Sequence, residues 1–333
     1  MKVALLYNLN RGQSEQEAEF DSQATIDRLR KAIESEHDCE TIEAIQDVRI
    51  WMVKLIEYQP DIIFNVAEGF EGAAREALYP ALLEQLGYRY TGPGPTELLV
   101  CHNKALTKRL LERQGISMAW GKVLGSEQDI EALLLQDSLP FPLLVKLNSE
   151  GSSLGMDEHC VVSDCDELHR QLKSVWKKYQ RNILVERFIP GRDLSMTFLE
   201  GKEIMGPVEY TYKTSRTYDF RLKTRDNDTI GVETPQDLSC DVRRKLFENA
   251  QKIVDVLDIN GYCRIDFRLG DDGILYFLEV NGQVAFHPQG AFVLAAEPEM
   301  NFDEVVLHII EQASQNRRRV SLTGVRLTSL EKS

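Results

Sequence analysis

The amino-acid sequence predicts a mixed α/β protein, α/β at its N-terminal end and α+β beyond, divided into two or three subdomains. Three observations predict this. The chain has 333 residues, more than one small core organises. Strand-like and helix-like runs alternate as far as Gly87, the rhythm of a small parallel sheet with helices on its faces. From Ile183 onward, strand-like runs dominate.

The elements follow in order. Val3–Tyr7 is a continuous apolar run, read as a strand. Asp21 or Ser22 is placed to cap a helix whose Ile26, Leu29, Ala32 and Ile33 fall on one face. A second strand over Asp61–Val66 leads into the Glu/Gly-rich turn 67–72, and a helix over Arg75–Leu86 ends at Gly87. The stretch Tyr90–Pro95 holds two Pro and two Gly, which marks it as a linker and puts a boundary at residue 95. A second unit, 96–185, opens with a helix near Lys104–Gln114 closed by Gly115. It continues through a strand over 141–146 and a helix near Asp166–Lys178. A third unit, 186–315, carries an amphipathic helix near Val242–Leu257, a strand pair around 262–269 and 274–281, and a helix near Phe302–Ala313. Residues 316–333, with Arg317–Arg319, read as a frayed, solvated tail.

Charge narrows the function. A net charge of −14 argues against general affinity for nucleic acid or an anionic membrane. No apolar stretch approaches the roughly 20 residues that span a bilayer. The N-terminus lacks the basic-then-apolar pattern of a secretory signal, so a cytoplasmic protein is expected. Its six scattered cysteines, none in a CxxC pair, are then expected as reduced thiols.

Three stretches carry chemistry. In the first, a strand delivers Lys146 into a loop holding Glu150, Gly151, Ser152, Ser153 and Gly155. Glycine lets the backbone approach an anion, and N–H groups and hydroxyls donate to it. This is a phosphate cradle without the GxxxxGK[ST] pattern of a Walker A loop. In the second, an apolar strand ends in Glu186, followed by Phe188, a Pro-Gly turn and Asp193. One of the two acids can accept from an adenine amino group or a ribose hydroxyl while Phe188 lines a base pocket.

The third stretch is the most specific. Arg264 and Asp266 alternate on one strand, Asp271-Asp272-Gly273 forms a tight turn, and Glu279 and Asn281 alternate on the return strand. Four polar side chains therefore face one region of an otherwise apolar hairpin. Asp266, Glu279 and Asn281 are hard oxygen ligands suited to Mg²⁺ shared with substrate phosphates. Arg264 beside them can hold a developing oxyanion.

In this order the stretches resemble the ATP-grasp superfamily, and within it the D-alanine–D-alanine ligases, over about residues 3 to 315. The loop Glu150–Met156 resembles that family's EGSSxGM loop, and Glu186–Asp193 its E-x-F-I-x-G-R-E segment. Arg264-x-Asp266 with Glu279-x-Asn281 is similar to its R-x-D and E-x-N signature. Tyr90-Thr91-Gly92 and Asn103-Lys104 are similar to its Y-T-G and D-K pair. The resemblance implies an ATP-grasp fold: an N-terminal parallel-sheet domain, a central α+β lid domain and a C-terminal antiparallel-sheet domain. It implies ATP and two Mg²⁺ ions as cofactors, with Mn²⁺ an alternative. Lys104 and Lys146 would contact ATP, Asp266, Glu279 and Asn281 would bind the metal ions, and Glu186 and Asp193 would hold adenosine with Phe188 and Leu278 against the base. Residues 213–223 resemble the lid that closes over the triphosphate and bring Lys223 to it. Arg264, Lys223 and Ser152 are the expected catalytic residues. Small-molecule acid and amine substrates, and a homodimer through the N-terminal domain, complete what is implied.

The departures concern the substrate end. After Asn281 the family reads T-x-P-G, whereas this chain reads Gly282 to Gly290, with Gln283 and His287 in the segment. Thr224 replaces the family's Tyr after the lid lysine. The amino-anchoring glutamate has three registers, Glu15, Glu17 and Glu19, with Glu19 the candidate, and the altered turn after Asn65 offers Glu68. Three readings follow: a ligase joining an amino acid or similar small acid to an amine other than D-alanine, a true D-alanine–D-alanine ligase, and a nucleotide-binding protein without turnover. The complete Arg/Asp/Glu/Asn set counts against the third and the rebuilt loop against the second.

Overall fold

Strand β1 (Lys2–Tyr7) is buried from Val3 to Tyr7 because it lies between two parallel neighbours, β2 (Asp38–Glu43) and β3 (Ile62–Asn65). A central parallel strand is covered on both faces and so reads as an unbroken apolar run. Helix α1 (Gln23–Glu34) connects β1 to β2 and buries the expected face of Ile26, Leu29, Ala32 and Ile33. Its cap is Ser22, whose side chain accepts the Thr25 N–H at 3.1 Å. Helix α2 (Val48–Tyr58) connects β2 to β3, and α3 (Arg75–Gln85) follows. The computed structural model describes residues 1–315 apart from 152, 153, 158, 213–229 and 298. The expected lid residues 213–223, Ser152, Ser153, Thr224 and the tail 316–333 lie outside these.

The stretch Tyr90–Pro95 connects α3 to the next helix and lies outside any helix or strand as far as Gly94, as expected. It is also an interior tie: Tyr90 and Thr91 are fully buried, the Thr91 N–H donates to the Ile63 carbonyl at 2.9 Å, and the Thr91 hydroxyl accepts the Asn65 N–H at 3.0 Å. Gly92 has φ +86°, and a Cβ there would lie 2.9 Å from the Tyr262 hydroxyl. Pro95 ends the connection. It opens α4 (Pro95–His102) at a position where its missing N–H costs nothing. Asn103 then caps α5 (Lys104–Leu111), accepting the Leu106 N–H at 3.0 Å, and Gly115 takes the left-handed conformation after a final turn, as expected.

A four-stranded antiparallel sheet forms the middle of the chain, in the order β5 (Gly121–Leu124), β8 (Ile183–Arg187), β6 (Leu143–Leu147), β7 (Val161–Val162). Helices α6 (Glu127–Leu134) and α7 (Cys165–Tyr179) give it a core of its own, with Leu133, Leu168 and Leu172 against Leu143, Val145 and Val185.

The largest sheet runs β11 (Ile230–Glu233), β10 (Met205–Tyr212), β9 (Gly191–Leu199), β12 (Tyr262–Gly270), β13 (Leu275–Asn281), β4 (Ser117–Met118). All pairs are antiparallel except β13 with β4. Helix α8 (Cys240–Leu257) buries Leu246, Ala250 and Ile253 with Ile265, Phe267 and Phe277. Helices α9 (Ala291–Ala296) and α10 (Phe302–Gln315) close the chain. Phe292 from α9, with Val305 and Ile309 from α10, joins Leu5, Phe64 and Tyr262 in one continuous core shared by the first and last thirds of the chain. No helix among the described residues is long and apolar enough to cross a membrane, and all six cysteines are free thiols.

Candidate active site

The hairpin β12–β13 brings its four polar residues together by register. Arg264 pairs with Asn281 and Asp266 with Glu279. The ladder then shifts: Phe267 pairs with Phe277, which leaves Leu278 as an extra residue, and Leu278 and Glu279 are both half-buried although strict alternation would send them to opposite faces. The Asp266 carboxylate accepts from Arg264 Nη2 at 2.8 Å, from Asn281 Nδ2 at 2.9 Å and from the Ser195 hydroxyl at 2.6 Å. Ser195 sits directly across from Asp266 on β9.

Facing the hairpin are lysines from two other elements. Lys104, at the first turn of α5, donates to the Glu150 carbonyl at 2.5 Å and lies 3.2 Å from Glu279. Lys146, on β6, lies 2.8 Å from Glu186 at the end of β8, and Lys108 contacts the other oxygen of the same carboxylate. Burial alone would raise the carboxyls of Glu186 and Glu279. The lysines outweigh it and hold each at about 2. Burial pushes Lys108 down, whereas Lys146, which feels both Glu186 and Glu279, is pushed up despite it. Asp193, the second acid of that stretch, accepts from the Tyr212 hydroxyl at 2.7 Å and pairs with Arg268 at 2.6 Å. The Arg268 guanidinium lies 5.5 Å from the centre of the Phe188 ring.

A second polar cluster joins the N-terminal sheet to the glycine loop. Arg75, almost wholly buried at the start of α3, pairs with Glu19 and, at 3.0 Å, with Glu150. Arg181 contacts the other oxygen of Glu150. Gly151 packs so closely on the Glu19 carboxylate that a Cβ would collide with it. Of the three candidate glutamates only Glu19 enters this cluster: Glu15 pairs with Lys178, and Glu17 accepts from the backbone N–H groups of Arg11 and Gln13. Asn8 fixes the turn bearing Glu68 by accepting the N–H groups of Glu68 and Gly69 at 2.8 and 2.9 Å. Burial, with Glu76 and Glu19 close by, raises the Glu68 carboxyl well above the usual carboxylate range. Gln283 donates to the Ala67 carbonyl at 3.1 Å, so the segment after Asn281 meets this turn. His287 is exposed, and its Nδ1 accepts the Gln289 N–H at 3.2 Å within its own turn.

Among the described residues no group of three or more His, Cys, Asp or Glu is placed to hold a metal ion. The hairpin offers two carboxylates and an amide, all hard oxygen donors and all on one face, a set that fits a divalent cation sharing its shell with phosphate oxygens. Sequence reading missed Arg75, His102, Lys108, Ser195 and Arg268. Only Lys108 left a local signal, one helical turn after Lys104.

Three layered units, an antiparallel hairpin bearing Arg/Asp/Glu/Asn, and two lysines on neighbouring elements define an ATP-grasp ligase. The family model described as "D-ala D-ala ligase C-terminus" matches residues 110–311. The D-alanine–D-alanine ligase of Sphingopyxis alaskensis is 32% identical, over 85% of this chain and 89% of its own length. That of Gluconobacter oxydans is 31% identical, over 90% and 96%. The solved structure of D-alanyl-alanine synthetase A from Vibrio cholerae superimposes with a TM-score of 0.77 at 19% identity, covering 95% of this chain and 99% of that one. The chain belongs to the D-alanine–D-alanine ligase family. It is an ATP-dependent ligase that forms C–N bonds.

Proposed function

We propose that this ligase activates the carboxylate of an amino acid or similar small acid as an acyl phosphate and transfers the acyl group to an amine. The observation that carries the reading is the single half-buried face formed by Arg264, Asp266, Glu279 and Asn281, with Lys104 against Glu279 and Lys146 close by. Asp266, Glu279 and Asn281 would hold the Mg²⁺ ions, which when bound supply positive charge at the phosphoryl oxygens. Lys104 and Lys146 take the nucleotide phosphates, joined by Ser152, Ser153 and Lys223 on the resemblance of their loops. Glu186 and Asp193 face the adenosine end, with Phe188 and Leu278 against the base. The substrate carboxylate attacks the γ-phosphorus and ADP leaves. The amine then attacks the carbonyl carbon, the C–O bond to phosphate breaks, and the amine gives up a proton. Arg264 donates to the oxyanion between these events, after exchanging its bonds to Asp266 for the substrate.

Glu19, held against the glycine loop by Arg75, supports a role in receiving the amino group of the acid. Glu68, Gln283 and His287 belong to the substrate end, where the segment 282–290 departs from the family. The names of the relatives make D-alanine the first substrate to try. Phosphate release from Mg-ATP, measured across single and paired amino acids with D-alanine included, tests the proposal. Release that requires an acid and an amine together supports it and names the pair. Release with D-alanine alone makes the enzyme a D-alanine–D-alanine ligase in spite of its changed segment. Absence of release with every pair, alongside tight ATP binding, overturns the proposal in favour of a binder without turnover.

A further inference from the structure

Helix α5 presents two lysines one turn apart to two different carboxylates: Lys104 lies 3.2 Å from Glu279, and Lys108 contacts Glu186. Glu186 is only 3% exposed at its side chain and holds two ammonium groups at once, Lys108 on one oxygen and Lys146, at 2.8 Å, on the other. Among the described residues these three lysines, each about a tenth exposed, face the two carboxylates, one cation in excess, which suits a polyanion. Lys108 and Lys146 differ in what they can do next. Lys146 stands on β6 immediately before the glycine loop, and it is drawn by Glu279 as well as Glu186. Lys108 stands on α5 with Glu186 as its ion-pair partner.

We propose that Lys108 is a positioning residue for the nucleotide, which keeps Glu186 neutralised so that Lys146 is released to the phosphates. The inference rests on the proposed assignment of Lys146 to the phosphates. Without Lys108, the buried Glu186 carboxylate would have Lys146 as its only ion-pair partner among the described residues, and moving Lys146 onto a phosphate would take that partner away. With Lys108 in place the exchange leaves Glu186 paired throughout. Lys108 therefore acts on phosphate binding through Lys146 without touching the phosphate.

The test uses the full chain with Mg²⁺ and two probes, the non-hydrolysable ATP analogue AMPPNP and adenosine, titrated calorimetrically. Lys108→Met is expected to weaken AMPPNP by at least about 10-fold, the scale of coupling between contacting charged groups, and to leave adenosine within about 2-fold. Lys108→Arg, which restores the cation, is expected to recover most of the loss. On a Glu186→Gln background the carboxylate is gone, so adding Lys108→Met should cost nothing further. Equal losses for AMPPNP and adenosine, or a full additional loss on the Glu186→Gln background, would overturn the proposal and make Lys108 a structural ion pair. Should Lys108→Met fail to fold, the double variant, which buries no unpaired carboxylate, decides by whether it matches Glu186→Gln in AMPPNP affinity. Lys146→Met separates the underlying assignment: if it binds AMPPNP as the parent does, the role given to Lys146 fails first.

Discussion

Arg75 Nη1 lies 2.6 Å from His102 Nε2, and this contact fixes where the imidazole carries its proton. A guanidinium only donates, so Nε2 must be the acceptor and Nδ1 must bear the hydrogen. Nδ1 then donates to Glu76 at 2.6 Å. Nitrogen NMR of the histidine ring is expected to show the Nδ1–H form. His102→Ala removes both bonds and leaves Arg75 and Glu76 buried without this partner, at a cost of about 2–4 kcal/mol in urea unfolding. A loss below about 0.5 kcal/mol would mean that the chain Glu76–His102–Arg75 contributes little to stability.

Arg264→Ala is expected to lower turnover at least about 100-fold while leaving ATP affinity nearly unchanged, as losing an oxyanion donor does. Steady-state rates with saturating Mg-ATP, beside a direct ATP titration, check it. Turnover like that of the parent would remove Arg264 from the chemistry.

The pH dependence follows from Glu186 and Glu279, both held at about 2 by buried lysines. An unfolded glutamate titrates near about 4.3, so each folded value is depressed. The stability they confer is fully present above that unfolded value and is lost as pH falls toward about 2. Urea midpoints measured from pH 6 down to pH 2.5 should fall most steeply below about 4.5, and the fall should be shallower in Glu186→Gln.

Gly92→Ala puts a methyl group 2.9 Å from the Tyr262 hydroxyl at a backbone position with φ +86°. A destabilisation of about 1–3 kcal/mol is expected from thermal or urea unfolding. An unchanged midpoint would mean that the tie at residue 92 is looser than its packing.

What could be read in the sequence was local. The β12–β13 hairpin was legible because alternation and a tight turn are both written within twenty residues, so the four-residue set needed no knowledge of the fold. Helix α1 was legible for the same reason, its buried face matching the predicted one residue for residue. Strand β2 escaped notice because it is an edge strand with only Ile42 fully buried, too polar for an apolar run. Arg75, His102 and Ser195 are brought to their partners by sheet order and helix docking, which leave no mark at their own positions. Tyr90–Pro95 was legible as a connection but not as a buried one, because Gly and Pro report backbone shape, not exposure: at Gly92 the requirement is close approach to Tyr262, deep inside the protein.

The core shared by β1, β3, α9 and α10 has a consequence for anyone recombining these ligases. A chimera joined at residue 95 would split that core between two parents, setting Leu5 and Phe64 from one against Phe286, Phe292 and Ile309 from the other. The four-stranded sheet, whose packing is self-contained, is the cassette that can be exchanged at its ends with its interior intact.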